Sequence, residues 1–333
     1  MTTTTPPNPK GNTTTAPATS SCPLKLATKP GASIYSSPLM LTTYDKYVLG
    51  FSMTYLWRCP SSSILIPLFR QNFNAEKHLD IGVGTGFFVG DALGQVLASS
   101  GSTSTSNHKE GKKVDITLMD LNEVALEKAK ERVLGVVAEH EHHSQAEVES
   151  DGKNPEVGVK VTTIVADVLD QSVPVGVQRG QFKSVSMFNL LHCLPSVPIV
   201  PSGPSSSDHD SGADDNGQEI KNRAFKLAAE CLADDGTLAG CTVLGRKYIA
   251  NDSSGAGSGA GMDKPNGTKT PSVLSKGMTW AVMKWYNHLG TFGNWSDERE
   301  VFEKGLRENF EVVETQVVGC MLLFSAARPK RSA

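Results

Sequence analysis

The stretch His78-Leu79-Asp80-Ile81-Gly82-Val83-Gly84-Thr85-Gly86-Phe87-Phe88 constrains the fold more than any other part of the chain. A short apolar run ends in an acid, passes through glycines at every second position and enters an apolar segment of helical spacing. This is how a βα unit presents its backbone to a ligand, because glycine turns sharply and places no Cβ between main chain and ligand. A dinucleotide site wants G-x-G-x-x-G, with the third glycine seating the helix beneath a pyrophosphate. Here the pattern is G-x-G-x-G, and Asp80 stands two residues before the first glycine. An anion at that point repels a phosphate and favours the ammonium of an amino acid.

The following segments repeat the βα theme. Val114–Met119 reads as a buried strand ending in Asp120, and Asn122 can cap a helix whose apolar positions are Val124, Ala125, Ala129, Val133 and Val136/Val137. A carboxylate at the end of a second strand has two oxygens to match a ribose diol. The distance from Asp80 to Asp120 exceeds the usual ~20 residues, but Ser99–Lys113 is a polar, low-complexity insert, and looping it out restores the spacing. Val161–Val165 forms a third strand ending in Ala166-Asp167, with Asp167 placed to accept from an adenine amino group. Ser184–Phe188 forms a fourth, running into Asn189-Leu190-Leu191-His192-Cys193. Helix Glu219–Ala233, the turn Asp234-Asp235-Gly236 and strand Thr237–Leu244 make a fifth unit. Helix Ser296–Asn309 and paired strands Phe310–Gln316 and Cys320–Ala326, joined at Val318-Gly319, close the chain with an antiparallel strand.

In this combination the chain resembles the class I S-adenosylmethionine (SAM) methyltransferases over about residues 75–328. The segment Tyr44-Asp45-Lys46-Tyr47-Val48-Leu49-Gly50 … Trp57-Arg58-Cys59-Pro60 ahead of the glycine turn is similar to a bacterial and fungal small-molecule subgroup. The resemblance implies an α/β, Rossmann-like fold with a seven-stranded, mostly parallel sheet and an antiparallel C-terminal strand. It implies SAM as cofactor, S-adenosylhomocysteine as product, and a cofactor site formed by Asp80, Gly82, Gly84, Thr85, Gly86, Asp120, Leu121, Asp167, Val168 and Asn189. Arg58 is expected to hold the methionine carboxylate, or else to cap a helix end. Tyr44, Tyr47, Trp57 and Trp285 are expected at the acceptor, with core packing the competing reading for Trp57.

A net charge of −3 with scattered basic residues argues against a nucleic-acid substrate. No run of about 18 apolar residues is present, so no membrane span is expected, and the Thr/Pro-rich N-terminus lacks the apolar centre of a secretory signal. Six cysteines without C-x-x-C or zinc spacing read as free thiols of a reducing cytosol. The expected organisation is a disordered tail (1–36), a helical lid (37–74), including an apolar helix at Ser63–Phe73, a core (75–328) with inserts near 99–113, 139–156, 200–217 and 251–270, and a short tail (329–333). His140, His142 and His143 in the second insert read as a solvated helix end, and no metal is expected.

The sulfonium of SAM makes its methyl electrophilic, so transfer needs alignment and, for a neutral nucleophile, a base. His192, just past the fourth strand, and His288, in the Met- and aromatic-rich segment Lys276–Leu289, are the candidate bases. The competing reading of His192 is a loop-shaping residue. The expected function is methylation of a small molecule at oxygen in specialised, fungal-type metabolism. Methylation at nitrogen, carbon or sulfur, and a SAM-binding fold serving as a cyclase or regulator, stay open at this point.

Overall fold

The chain places helices between most of its strands, so that the central strands are covered on both faces. A computed structural model describes residues 45–100, 113–147, 158–170, 172–196, 218–250 and 273–331. The N-terminal tail, Tyr44 and most of the four inserts lie outside the described residues.

One seven-stranded sheet organises them, with strands β1 (His78–Ile81), β2 (Lys113–Asp120), β3 (Gly158–Val165), β4 (Phe182–Phe188), β5 (Leu232–Val243), β6 (Phe310–Val318) and β7 (Met321–Pro329). Their order is β3-β2-β1-β4-β5-β7-β6. β7 runs antiparallel to both its neighbours, its Ala327 pairing with Thr237 of β5 and its Met321 with Val318 of β6, and the other strands share one direction. The chain builds outward from β1 to β3, then returns to the other side of β1 with β4. Such a reversal opens a crevice at the carboxyl ends of β1 and β4.

Period-two alternation divides the apolar residues between two layers. Leu79, Ile81, Val185 and Met187 face one layer with Phe225, Phe302 and Phe324. Ile116, Leu118, Cys241 and Val243 face the other with Trp57, Phe69, Leu93, Val133 and Met283. The first layer is closed by α4 (Arg223–Cys231) and α6 (Arg299–Asn309). The second is closed by an N-terminal π-helix (Asp45–Leu56), α1 (Ile66–Asn72), α2 (Phe87–Ser100), α3 (Glu123–Glu147) and α5 (Val273–His288).

Several boundaries differ from those read in the sequence. The segment expected to be one helix from Glu219 to Ala233 is a 3₁₀ turn, Gln218–Asn222, followed by α4, and the chain enters β5 already at Leu232. Leu232 pairs with Phe182 while Thr237 pairs with Ser184, so Asp234-Asp235-Gly236 bulge within the strand instead of preceding it. α3 continues through His140, His142 and His143 to Glu147, into the segment expected to be an insert. Val124 is exposed, whereas Ala125, Ala129 and Val133 are buried on the α3 face.

One buried ion pair joins the chain before α4 to the loop before α6. Lys221 Nζ donates to Asp297 Oδ2 at 2.6 Å and to the Gly293 carbonyl at 2.9 Å, and both side chains are fully buried. Removing one partner strands the other charge in the core. Lys221→Met is therefore expected to lower the unfolding free energy by about 3–5 kcal/mol, and Lys221→Met/Asp297→Leu to recover most of it. Urea unfolding of the two variants measures this.

Candidate functional site

At the carboxyl end of β1 the chain leaves the sheet through the glycine turn. Gly82, Gly84 and Gly86 all have positive φ, at 75°, 52° and 70°. A Cβ on Gly82 would lie 2.7 Å from Leu190 Cδ1, and one on Gly86 would lie 2.8 Å from the Ala129 backbone. The turn is thus bound to glycine by conformation and by space. It borders a shallow cleft, open to solvent, whose walls include Leu49, Asp80, Phe88, Phe188 and Asn189.

Two acids meet beneath this turn. Asp80 is buried and its Oδ1 accepts from Ser186 Oγ at 2.5 Å. Burial raises its carboxyl to about 7; the hydrogen bond from Ser186 opposes the shift, and the neighbouring charge of Asp120 adds to it. Burial likewise raises Asp120, against backbone N–H groups of Asn122, Leu121, Val83 and Gly84 that favour its charged form. Asp120 therefore ties the end of β2 to the glycine turn, with Asn122 N–H donating to Oδ1 at 2.9 Å. Two carboxylates in a shared, half-closed site favour a cation there.

Asp167 sits at the end of β3, where Oδ1 accepts from Leu169 N–H at 2.8 Å, with Val168 buried and Leu121 exposed at the end of β2. Asn189 lines the cleft with φ 58°, a left-handed conformation that Asn tolerates. Thr85 is buried, and its Oγ1 donates to Asp45 Oδ1 at 2.6 Å. Asp45 Oδ2 accepts from Arg132 Nη2 at 2.5 Å, so one carboxylate clips the N-terminal π-helix to the turn and to α3. Asp45 went unassigned in the sequence, as did Leu49, Phe88, Phe188 and Ser186. Asp45 and Thr85 are 40 positions apart, a pairing that no local pattern signals.

Other expected site residues stand elsewhere. Arg58 does not reach the glycine turn; its Nη2 donates to the carbonyls of Tyr248 and Ile249, each at 3.4 Å, beside Cys320 Sγ at 3.2 Å, at the β5–β7 side of the sheet. Trp57 is a core residue, fully buried against Phe292 with ring centroids 5.8 Å apart. His192 is buried beside the same ring at 4.4 Å. Its Nδ1 accepts from Val243 N–H at 3.3 Å, and burial, aided by the charge of Lys221, lowers it to about 3. A neutral ring whose Nδ1 is occupied keeps its proton on Nε2, an arrangement that fits the loop-shaping reading. His288 is exposed at the last position of α5. Tyr47 and Trp285 are half-exposed, Tyr47 hydrogen-bonded to Tyr286 and Trp285 stacked on it at 5.4 Å; Tyr44 lies outside the described residues.

Asp80 carries a measurable signature. Its folded-state value near 7 lies above the unfolded one near 3.8, so its contribution to stability is complete in acid and is lost as pH rises through 7. Between pH 5 and pH 8 the ligand-free protein is expected to lose roughly 2–3 kcal/mol more stability than Asp80→Asn. Urea midpoints of both proteins at the two pH values test this.

No protein-family model matches the chain. It is 30% identical over 320 residues to "O-methyltransferase NEC2" of Pyricularia oryzae, covering 90% of this chain and 92% of that protein. It is 31% identical over 304 residues to a "Physcion biosynthesis cluster O-methyltransferase" of Aspergillus chevalieri, covering 91% and 97%. A solved O-methyltransferase family protein from Burkholderia thailandensis aligns with TM-score 0.48 and 10% identity over 92% of this chain, which spans 65% of that structure's chain.

Proposed function

The chain belongs to the SAM-dependent O-methyltransferase family, and from that premise we propose that it methylates an oxygen of a small molecule of specialised metabolism. The observation that carries this reading is the pair of acids, Asp80 and Asp120, beneath a turn that only glycine fits. The donor chemistry suits SAM, which brings a cationic ammonium to a site that favours positive charge and a diol to a carboxylate. When bound, SAM supplies an electrophilic methyl group.

The residues divide this work between them. Asp80 takes the ammonium and Asp120 the ribose hydroxyls, for which it gives up part of its backbone bonding. Gly82, Gly84 and Gly86 let the main chain approach. Leu121, Asp167 and Val168 border the adenine, and Asn189 closes the β4 side. Thr85 acts through Asp45, holding the π-helix over the turn. Tyr47 and Trp285, with Tyr286 and Phe292, border the acceptor. In this reading none of the described residues is assigned as a general base, and transfer relies on alignment and on an acceptor hydroxyl acidic enough to lose its proton readily, such as a phenol. The described cysteines are all free thiols, which suits a reducing cytosol, and among the described residues no helix is long and apolar enough to cross a membrane.

Calorimetric titration with SAM is expected to give micromolar-range binding. Gly84→Val should abolish it, and Asp120→Ala should weaken it by about 2–4 kcal/mol. Incubation with labelled SAM and a panel of phenolic and aliphatic alcohols should label an oxygen of a phenol, read by mass spectrometry; binding without transfer to any acceptor would leave a SAM-binding protein and no transferase. On a verified acceptor, His192→Ala should leave the pH profile of turnover unchanged. Loss of its lower-pH limb would restore His192 as the base.

A further inference from the structure

The middle strands of such a sheet are covered on both sides and ordinarily read as near-continuous apolar runs. β1 and β4 break that rule on one face. His78 and Asp80 alternate with Leu79 and Ile81, while Ser184 and Ser186 alternate with Val185 and Met187. Parallel pairing sets His78 beside Ser184 and Asp80 beside Ser186. The result is a buried polar ladder beneath Phe69 and Phe73, which meet the His78 ring edge-on at 5.6 and 4.7 Å.

Its hydrogen bonds run in one direction. In its ionised form the Asp80 carboxylate only accepts, so the 2.5 Å bond uses the Ser186 hydrogen. Ser186 Oγ must then accept across its 3.0 Å contact, which puts the hydrogen of the neutral His78 ring on Nε2. Nδ1 is left as an acceptor for the Ser184 hydroxyl at 2.7 Å, a shorter contact than that hydroxyl's 3.4 Å approach to the Asn74 carbonyl, and Ser184 Oγ accepts in turn from Asn74 N–H at 2.9 Å. Burial lowers His78 to about 3, which keeps its ring neutral. A backbone amide cannot reverse its role, so the ladder has a fixed donor at one end and a carboxylate at the other.

We infer that His78 is a positioning residue for cofactor binding: through Ser186 it orients and polarises the hydrogen bond that Asp80 receives, presenting Asp80 to the ammonium of SAM as an oriented carboxylate. The inference rests on the assignment of Asp80 to that ammonium. The groups facing the ladder are few. β2 contributes the charge of Asp120, α1 contributes Phe69 with Phe73 just beyond its end, and α2 contributes Phe88, stacked on Phe69 at 5.6 Å. The π-helix brings Leu49 to the cleft, its Asp45 being engaged with Thr85 and Arg132. Asp120 is thus the charged neighbour common to every variant below.

The test is SAM affinity of the full chain, measured by calorimetry between pH 5.5 and 9. Affinity should rise with pH as Asp80 ionises. Ser186→Ala removes the donor, so the midpoint of that rise should move up by about one pH unit. His78→Phe should move it in the same direction, whereas His78→Gln, with one donor and one acceptor group, should restore it towards wild type. A structural role alone would change melting temperature or affinity without moving the midpoint. ¹⁵N NMR of the ligand-free protein at pH 8.5, with the signal assigned by its loss in His78→Gln, should report the Nε2–H tautomer; the Nδ1–H form would overturn the inference. So would a wild-type midpoint in both His78→Phe and Ser186→Ala, or in His78→Phe alone. If His78→Phe does not fold, His78→Gln and Ser186→Ala decide by the same midpoint, together with the tautomer. If Asp80→Asn binds SAM as wild type does, the assignment of Asp80 itself fails; if it binds weakly while the His78 variants keep the wild-type midpoint, only the role of His78 fails.

Discussion

Two carboxylates at the ends of adjacent central strands set the terms for everything around them. Asp80 and Asp120 repel one another, and withdrawal from water adds to the cost of their charge. The fold offsets that cost with directed donors: Ser186 for Asp80, and the backbone of the glycine turn and of Leu121 and Asn122 for Asp120. A cation at the site would relieve the remaining cost. A site built this way is less stable without its ligand than a neutral one would be, and the surplus appears as affinity when a positive charge enters.

The N-terminal segment is the second element on which the site depends, and it is anchored at both ends. Asp45 joins it to Thr85 and Arg132. At the other end Trp57 is buried in the core, its carbonyl accepting from Cys320 N–H at 2.9 Å, and Thr279 Oγ1 donates to the Leu56 carbonyl at 3.0 Å. The π-helix is therefore held between the glycine turn, the β6–β7 turn and α5. Its buried residues, Leu49, Ser52, Met53 and Leu56, face inward, while Tyr47, Phe51 and Tyr55 form a row of contacting rings on the more exposed side.

Arg58, His192 and Trp57 show how tertiary packing reassigns residues that look chemical in one dimension. Each sits close in sequence to the turn or to a strand end, where a functional side chain is plausible. Packing places Trp57 and His192 against Phe292, and it turns Arg58, at φ 56°, towards backbone carbonyls across the sheet. Nothing in local composition distinguishes a histidine that accepts from a backbone amide from one that faces a substrate; the distinction is made by β5, whose Val243 N–H reaches Nδ1.

The sequence by itself determined the order of strands and helices, the glycine turn and the antiparallel ending. These follow from period-two and helical spacing and from the conformations that only glycine adopts, all of them local. The positions of Asp80, Asp120 and Asp167 at or just past strand ends were legible for the same reason. Tertiary structure alone decided that β5 begins at Leu232, that α3 runs on to Glu147, and that Asp45 secures the turn. It also decided that His78, an unassigned residue at the start of the opening motif, lies in register with Ser184 and two bonds from Asp80. Strand pairing brings together residues more than 100 positions apart, and that register depends on how the two layers pack against the sheet, which no window of sequence contains.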